Sequence, residues 1–214
     1  MLIERHRHHL PHWEQGRVWQ FITWRLADSI PAATLAEWKS DRDAWMRRHP
    51  EPWDAATEHE YHKEFSTRLD DWLDAGHGAC VLRTPAHAKT VADALRHFEG
   101  ARYTFGAFVI MPNHVHVLFL PDTTTPLADI IRSWKGYTAM ALNRRLGKRG
   151  QLWQEDYWDR IIRNQAHYDA CARYIIANPA KARLGQNEYI LYVAATTAPR
   201  PQDENTRQAH PFPA

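Results

Sequence analysis

The chain has 214 residues, of which 44% are hydrophobic and 24% charged, and its formal net charge is +2. That composition suits one globular domain with a core, and excludes both a disordered chain and a polycation that coats duplex DNA by charge alone. Two cysteines, Cys80 and Cys171, cannot build a disulfide framework, and no run of about 18 apolar residues is present to span a membrane.

The opening residues, MLIERHRHHLPHWEQG, lack the apolar centre of a signal peptide, so a cytoplasmic protein is expected. His6, His8, His9 and His12 lie here among arginines, which fits either a metal-binding tract or an arm that orders against the body or against DNA. Val18 to Leu26 alternates in the manner of a strand, rich in β-branched and aromatic residues. From about Ala32 to Leu73 the character is helical, with a break at His49-Pro50-Glu51-Pro52, and Gly76 and Gly78 close the stretch. This gives a helical insertion over 32–75, after the first strand. Ala79-Cys80-Val81-Leu82 reads as a short buried strand or extended segment. Ala86 to Phe98 carries Val91, Ala94, Leu95 and Phe98 at amphipathic helical spacing.

Tyr103–Met111 and His114–Leu120 are apolar runs joined by Pro112-Asn113, and they read as adjacent antiparallel strands covered on both faces. Pro126 to Leu146 is a long helix with Leu127, Ile130, Ile131, Trp134, Thr138, Ala141 and Leu142 on one stripe. Gly147 to Gly150 is a basic turn. Tyr157 to Arg163 is a short strand or extended piece. Gln165 to Ala177 is a helix that Asn178-Pro179 ends. The chain weakens after Leu184. The domain is expected to fill 1–190, with a disordered tail over 191–214. Elements in this order make an α+β fold, an antiparallel sheet with helices packed on it.

His114-Val115-His116 carries the first chemical signal. Residues two apart on a strand share a face, so the two imidazoles stand about 7 Å apart along the chain and can converge on one ion. The tripeptide is also compatible with chance, although its apolar surroundings call for an explanation. On the Gln165 helix, Tyr168, Cys171, Ala172, Ile175 and Ile176 form the apolar stripe. Tyr174 and Asn178, four apart, stack in one column beside it. They read either as a phenol and an amide facing a site, or as a half-buried core tyrosine and a helix cap. No acidic residue falls between Ile130 and Gln154, whereas Arg132, Lys135, Arg144, Arg145, Lys148 and Arg149 do. This is either a phosphate track or a solvated helix face, and Trp134 and Tyr137 on it could serve as stacking platforms. Arg160 and Arg163 could hold a DNA backbone, or pair with Asp156 or Asp159. The His59-Glu60-Tyr61-His62 stretch has its histidines three apart, which is not zincin spacing, and reads as a solvated helix face.

Taken together, Met111-Pro112-Asn113-His114-Val115-His116, Ser133-Trp134-Lys135, Leu152-Trp153-Gln154, Tyr157-Trp158-Asp159-Arg160-Ile161-Ile162-Arg163 and Tyr174-Ile175-Ile176-Ala177-Asn178-Pro179-Ala180-Lys181-Ala182 resemble the REP-associated tyrosine transposases. These are relatives of the single-tyrosine insertion-sequence transposases of the HUH nuclease class. Leu10-Pro11-His12-Trp13 and Arg25-Leu26-Ala27-Asp28-Ser29 carry the likeness toward the N-terminus. The resemblance implies a ferredoxin-like HUH nuclease core. It implies that His114, His116 and Asn178 hold a divalent cation, Mg²⁺ or Mn²⁺, and that Tyr174 attacks DNA to form a covalent 5′-phosphotyrosine. Related enzymes tend to have Gln where this chain has the shorter Asn178. The implied partner is single-stranded or hairpin-forming DNA, and the implied state a monomer or a homodimer. A DNA-binding regulator without turnover, and a phosphodiesterase that uses water directly, are the competing readings.

Overall fold

The computed structural model describes residues 4–7, 11–14, 17–50 and 52–195. The elements run in the order β1 (Glu4–Arg7), β2 (Pro11–Glu14), β3 (Gln20–Arg25), α1 (Ala32–Arg48), α2 (Ala55–Tyr61), a π-helical turn (His62–Ser66), α3 (Thr67–Asp74), a short 3-10 turn (Val81–Arg83), α4 (Pro85–Arg96), β4 (Tyr103–Ile110), β5 (His114–Pro121), α5 (Leu127–Leu146), β6 (Trp158–Ile161), α6 (Gln165–Lys181) and β7 (Ile190–Val193). β1 and β2 form a small antiparallel ribbon in which His6 stands opposite His12, whereas His8 and His9 lie outside the described residues. Five strands form the main sheet in the order β6-β3-β5-β4-β7, every neighbouring pair antiparallel. Without β7, the succession β3-α4-β4-β5-α5-β6 and its strand order are those of a ferredoxin-like split βαβ sheet. The expected α+β fold with an antiparallel sheet is the one observed.

The sheet is covered on both faces, and β5 shows how. All eight of its residues are buried. Val115, Val117 and Phe119 point into a core with Ile22 and Trp24 of β3, Val91 and Leu95 of α4, and Ile130, Ile131 and Trp134 of α5. Leu118 and Leu120 point the other way, into a core with Trp19, Ala107, Val109, and Tyr168, Cys171 and Ile175 of α6. His114 and His116 share that second face by strand alternation. A third core, of Ile30, Trp38, Trp45, Phe65, Leu69 and Leu73, holds the helical insertion together.

Trp134 belongs to the first core. It is buried, and its Nε1 donates to the Tyr103 hydroxyl at 2.9 Å, so it is no stacking platform. Tyr137, one turn on, is exposed.

Three local expectations are corrected. The Ala79–Leu82 segment is not a strand: Cys80 sits in the left-handed region at φ 47° and leads into the 3-10 turn. α6 does not stop at Asn178-Pro179 but runs through Pro179 to Lys181. A proline this close to a helix end removes one backbone donor and disturbs a single turn, which burial of Asn178 and Pro179 can offset. The tail expected from 191 begins with ordered chain, because 190–193 form edge strand β7 on β4, with Ile190 opposite Ile110. Residues 196–214 lie outside the described residues. Among the described residues, no helix is long and apolar enough to cross a membrane.

A bulge between Phe105 and Ala107 lets α6 approach β4. A Cβ on Gly106 would run into the Tyr168 hydroxyl and touch the Trp19 ring. Tyr168 is itself fixed by an edge-to-face contact with Trp19, ring centroids 4.8 Å apart. Gly106→Ala is therefore expected to destabilise the fold by about 1–3 kcal/mol through overpacking. Denaturant titration checks this, and an unchanged midpoint would show that α6 can shift at no cost.

Candidate active site

The site is built where β5 and β3 run side by side under α6. In the β3–β5 register, Thr23 stands opposite His116 and Arg25 opposite His114. His116 Nδ1 lies 2.7 Å from Thr23 Oγ1. His114 Nδ1 lies 2.8 Å from Asn113 Oδ1. A carboxamide oxygen only accepts, so His114 carries its proton on Nδ1 and leaves Nε2 as a lone pair. Asn113 is held in turn by donating from Nδ2 to the carbonyls of Leu73, at 3.1 Å, and His77, at 3.3 Å. Asn178 Nδ2 lies 3.5 Å from His116 Nε2, so that nitrogen also faces the site as an acceptor. The two imidazole centroids are 4.6 Å apart.

Both histidines and Asn178 are 1% exposed. Burial drives the imidazolium of His114 down to about 3, opposed by the acceptor character of the Asn178 carboxamide and aided by the positive charge of Lys181. Burial lowers His116 well below its ordinary value too, with His114 and Lys181 adding to the effect. Both rings are thus neutral, ligand-type imidazoles with Nδ1 engaged and the Nε2 lone pair turned to the site, that of His116 facing Asn178 Nδ2, the arrangement that fixes a metal-binding tautomer. Asn178 Oδ1 is buried and has no hydrogen-bond partner. Among the described residues, no cluster of three or more His, Cys, Asp or Glu side chains could hold a metal, so an ion here would use the amide as its third protein donor. Two neutral nitrogens and an orphaned amide oxygen fit a divalent cation that completes its shell with oxygen.

Tyr174 lies against this pair. Its ring is 5.2 Å from His116 and 5.9 Å from Phe21, edge-on to both. Its hydroxyl is buried without a hydrogen-bond partner of ordinary geometry. Burial raises the phenol well above its ordinary value, and the neighbouring Asp70 carboxylate raises it further. Tyr157 and Tyr168 are elsewhere: Tyr168 is packed on Trp19, and Tyr157 lies 5.9 Å from the Lys135 ammonium. His114, His116, Tyr174 and Asn178 are therefore brought together as the sequence led us to expect.

The basic residues are dispersed. Arg132 pairs with Asp129. Lys135 donates to the carbonyls of Gln154, at 2.8 Å, and Glu155, at 2.6 Å, and so pins the loop before β6. Arg145 donates to Ala86 O at 3.0 Å and Thr90 Oγ1 at 2.7 Å, joining α5 to α4. Arg144, Lys148 and Arg149 are exposed around the Gly147 cap of α5. Because α5 returns antiparallel to β5 at similar length, that cap lies toward the His114 end of the sheet. Arg160 lies 2.8 Å from His62 Nδ1 of the insertion. His62 is thereby half-buried and engaged, not a solvated face. Arg163 is exposed at the entry to α6.

Two site residues escaped the sequence reading. Asp70 reaches Tyr174 from the insertion, and no local pattern marks it. Arg25 is buried beside His114 and donates to Ser29 Oγ at 3.1 Å. Burial lowers its guanidinium to about 10 against the pull of Asp156. The Arg25-Leu26-Ala27-Asp28-Ser29 motif was its signal.

Residues 86–178 match the family model described as transposase IS200 like. That segment, which contains the histidine pair, Tyr174 and Asn178, is similar to the IS200-like transposases, and the similarity supports a DNA-processing role of the transposase type. Among solved structures, one described as a REP-associated tyrosine transposase bound to a REP hairpin aligns at 14% identity over 82% of this chain and 74% of that one, with a TM-score of 0.42. Another, described as a candidate transposase from Deinococcus radiodurans R1, aligns at 16% identity over 77% and 92%, with a TM-score of 0.31. No curated protein matches the chain.

Two measurements test this electrostatic description. In metal-free protein the folded histidines stay neutral, whereas unfolded imidazoles protonate around pH 6.5. The unfolded state then binds more protons, so stability is complete above about pH 6.5 and is lost as pH falls toward about 3. Asp70, raised to about 6 mainly by burial, and Asp74, also raised by burial, oppose this, whereas Asp54 and Asp122, lowered by hydrogen bonds, add to it. The Tm is expected to fall on the order of 5 °C between pH 7 and 5, and a Tm that rises over that range would refute neutral buried histidines. Thr23→Val removes the partner of His116 Nδ1 and is expected to weaken Mn²⁺ binding about 10–100-fold by calorimetry.

Proposed function

We propose that this chain cleaves and rejoins single-stranded DNA through Tyr174, with His114, His116 and Asn178 as ligands for Mg²⁺ or Mn²⁺. The observation that carries the reading is the convergence, in one buried cluster, of two neutral imidazoles with Nε2 lone pairs turned inward, an orphaned amide oxygen and a tyrosine hydroxyl without a hydrogen bond of ordinary geometry. A carboxamide can turn by 180° with little change of shape, and turning Asn178 would point its oxygen where its nitrogen now faces His116. The ion, when bound, supplies Lewis-acid stabilisation of the scissile phosphate, worth several kcal/mol.

The chain's own residues do the rest. Thr23 and Asn113 hold the two rings in their ligand tautomers. Phe21 and His116 fix the plane of the Tyr174 ring. Tyr174 Oη attacks phosphorus, the bond to the 3′ oxygen breaks, and the product is a 5′-phosphotyrosine that a free 3′-hydroxyl can reverse. Because the linkage conserves the phosphodiester bond energy, rejoining needs no nucleotide cofactor. The exposed Arg144, Lys148 and Arg149 are placed to bind backbone phosphates toward the His114 end of the sheet. Arg132, Lys135, Arg145, Arg160 and Arg163 contribute charge to the same interface, although Lys135 and Arg145 are first of all structural ties. Hairpin-forming repeats in the cytoplasm are the target that the family resemblance implies.

Incubation with a hairpin oligonucleotide and Mn²⁺ should give a covalent protein–DNA band. Tyr174→Phe should abolish it and His114→Ala should reduce it by at least about 10²-fold, both with oligonucleotide binding retained. A band that survives in Tyr174→Phe rules out this nucleophile, and DNA binding with no band in the native protein favours a regulator without turnover.

A further inference from the structure

The helical insertion docks on the site through specific polar contacts, and one of its residues faces the nucleophile. Lys181, at the end of α6, pairs with Asp71 at 3.1 Å and Asp74 at 2.9 Å on α3. These pairs set the two helices in register. Asp70 is one turn before Asp74 on the same face of α3, and Tyr174 is two turns before Lys181 on the same face of α6. The Asp70 carboxylate is thereby directed at the turn of α6 that carries the Tyr174 hydroxyl, near enough for each group to shift the other's proton affinity, although no hydrogen bond of ordinary geometry joins them. Lys181 is spent on Asp71 and Asp74, which leaves the phenol as the nearest proton donor to Asp70.

We infer that Asp70 is the proton acceptor for Tyr174, so that the insertion completes the active site instead of decorating it. This rests on the reading of Tyr174 as nucleophile. In the forward step the Tyr174 O–H proton passes to a carboxylate oxygen of Asp70 as Oη bonds to phosphorus. The P–O3′ bond breaks with its electron pair on the 3′ oxygen, which takes a proton from solvent water to become the 3′-hydroxyl. In the reverse step the Asp70 carboxylic acid returns the proton to the departing phenolate. The physical need is plain: a phenol with an ordinary pKa near 10 is a poor nucleophile while it keeps its proton, so attack is helped by a base in place. The groups around the pair are few. Asp70 is faced by Lys181, Asp74 and Arg160 besides Tyr174. Tyr174 is faced by Asp70 and Asp74 from α3, by Asn178 on its own helix, and by Phe21 and His116 from the sheet. Burial raises Asp70 to about 6, which leaves it ionised but still a usable base at neutral pH.

The test is the initial rate of covalent-adduct formation by the full chain, with a hairpin oligonucleotide and Mn²⁺, from pH 5 to 8.5. Native protein, Asp70→Asn, Asp70→Glu and Tyr174→Phe are compared, with oligonucleotide Kd and Tm measured for each. The native rate should rise through an inflection near pH 6 and level off. Asp70→Asn should be slower by about 10²-fold or more, should lose the inflection, and should keep its Kd and Tm. Asp70→Glu should recover part of the rate. An Asp70→Asn rate within about threefold of native overturns the inference while leaving the nucleophile assignment intact. So does a loss in which Kd and Tm fail together and Asp70→Glu does not recover, which would mark Asp70 as structural. An adduct that persists in Tyr174→Phe, or no adduct in native protein, overturns the underlying reading and this inference with it.

Discussion

Everything in this molecule depends on β5 being buried on both faces. A strand covered on one side leaves its other side free to carry polar residues in water. Here the odd-numbered side chains fill the core under α4 and α5, and the even-numbered ones lie under α6. A one-residue slip would drive two imidazoles into the wrong core and expel two valines, so the register is fixed by a large energetic gap. Only at positions 114 and 116 does the α6 side of β5 carry polar groups, and each has a dedicated partner on Nδ1. Two buried imidazoles are tolerable because each is neutral and half-satisfied. The other half, the Nε2 lone pair, is turned to the site and suits the ligand role proposed for them.

The same logic explains why unpaired polar atoms gather at this point. Folded proteins leave few buried donors or acceptors without partners, since each costs roughly 1–3 kcal/mol. The Tyr174 hydroxyl and Asn178 Oδ1 are both in that state, one helical turn apart on α6 and within reach of the histidine pair. Stability is thus given up locally while three apolar cores support the surroundings. The insertion shares that burden. Through Asn113 and Lys181 it is tied to residues adjacent to the ligands, so that its third core, built on Trp38, Trp45 and Phe65, rigidifies the site from outside the sheet.

Much of this was legible in the sequence because periodicity over long apolar stretches has one physical solution. Tyr103–Leu120 could only be paired strands, and the stripe from Leu127 to Leu142 could only be a helix. The histidine pair and the Tyr174–Asn178 column follow from the two periods of 2 and 3.6. Less legible were places where tertiary packing outweighs local preference. Pro179 reads as a helix stop, yet its neighbour Asn178 is buried in the site and the helix continues. Ile190–Val193 is too short to stand out, and becomes a strand only because β4 offers an open edge. Trp134 lies within a basic stretch and looked available to bases, but its ring completes the first core. Asp70 was invisible for a different reason. Its meaning comes from a helix pairing across more than a hundred residues of chain, and a run of acidic residues on a helix carries no trace of what it faces.

The central place of β3 has a consequence for how the molecule comes into being. β3 pairs with β5 on one side and β6 on the other, and the Thr23–His116 contact spans 93 residues. During synthesis β3 emerges early and must wait, unpaired on both edges, until the chain has passed Ile161. The insertion fills that interval with a unit that has its own core. Enlarging a loop costs only about 0.6 kcal/mol for each doubling of its length, so the wait costs the finished fold little, but non-local pairing slows its assembly. The ligand pair acquires its orientation only when the oldest strand meets one of the younger ones. Assembly of the histidine pair against Tyr174 is therefore a late event on the folding pathway, and incomplete chains that already display basic surface lack that cluster.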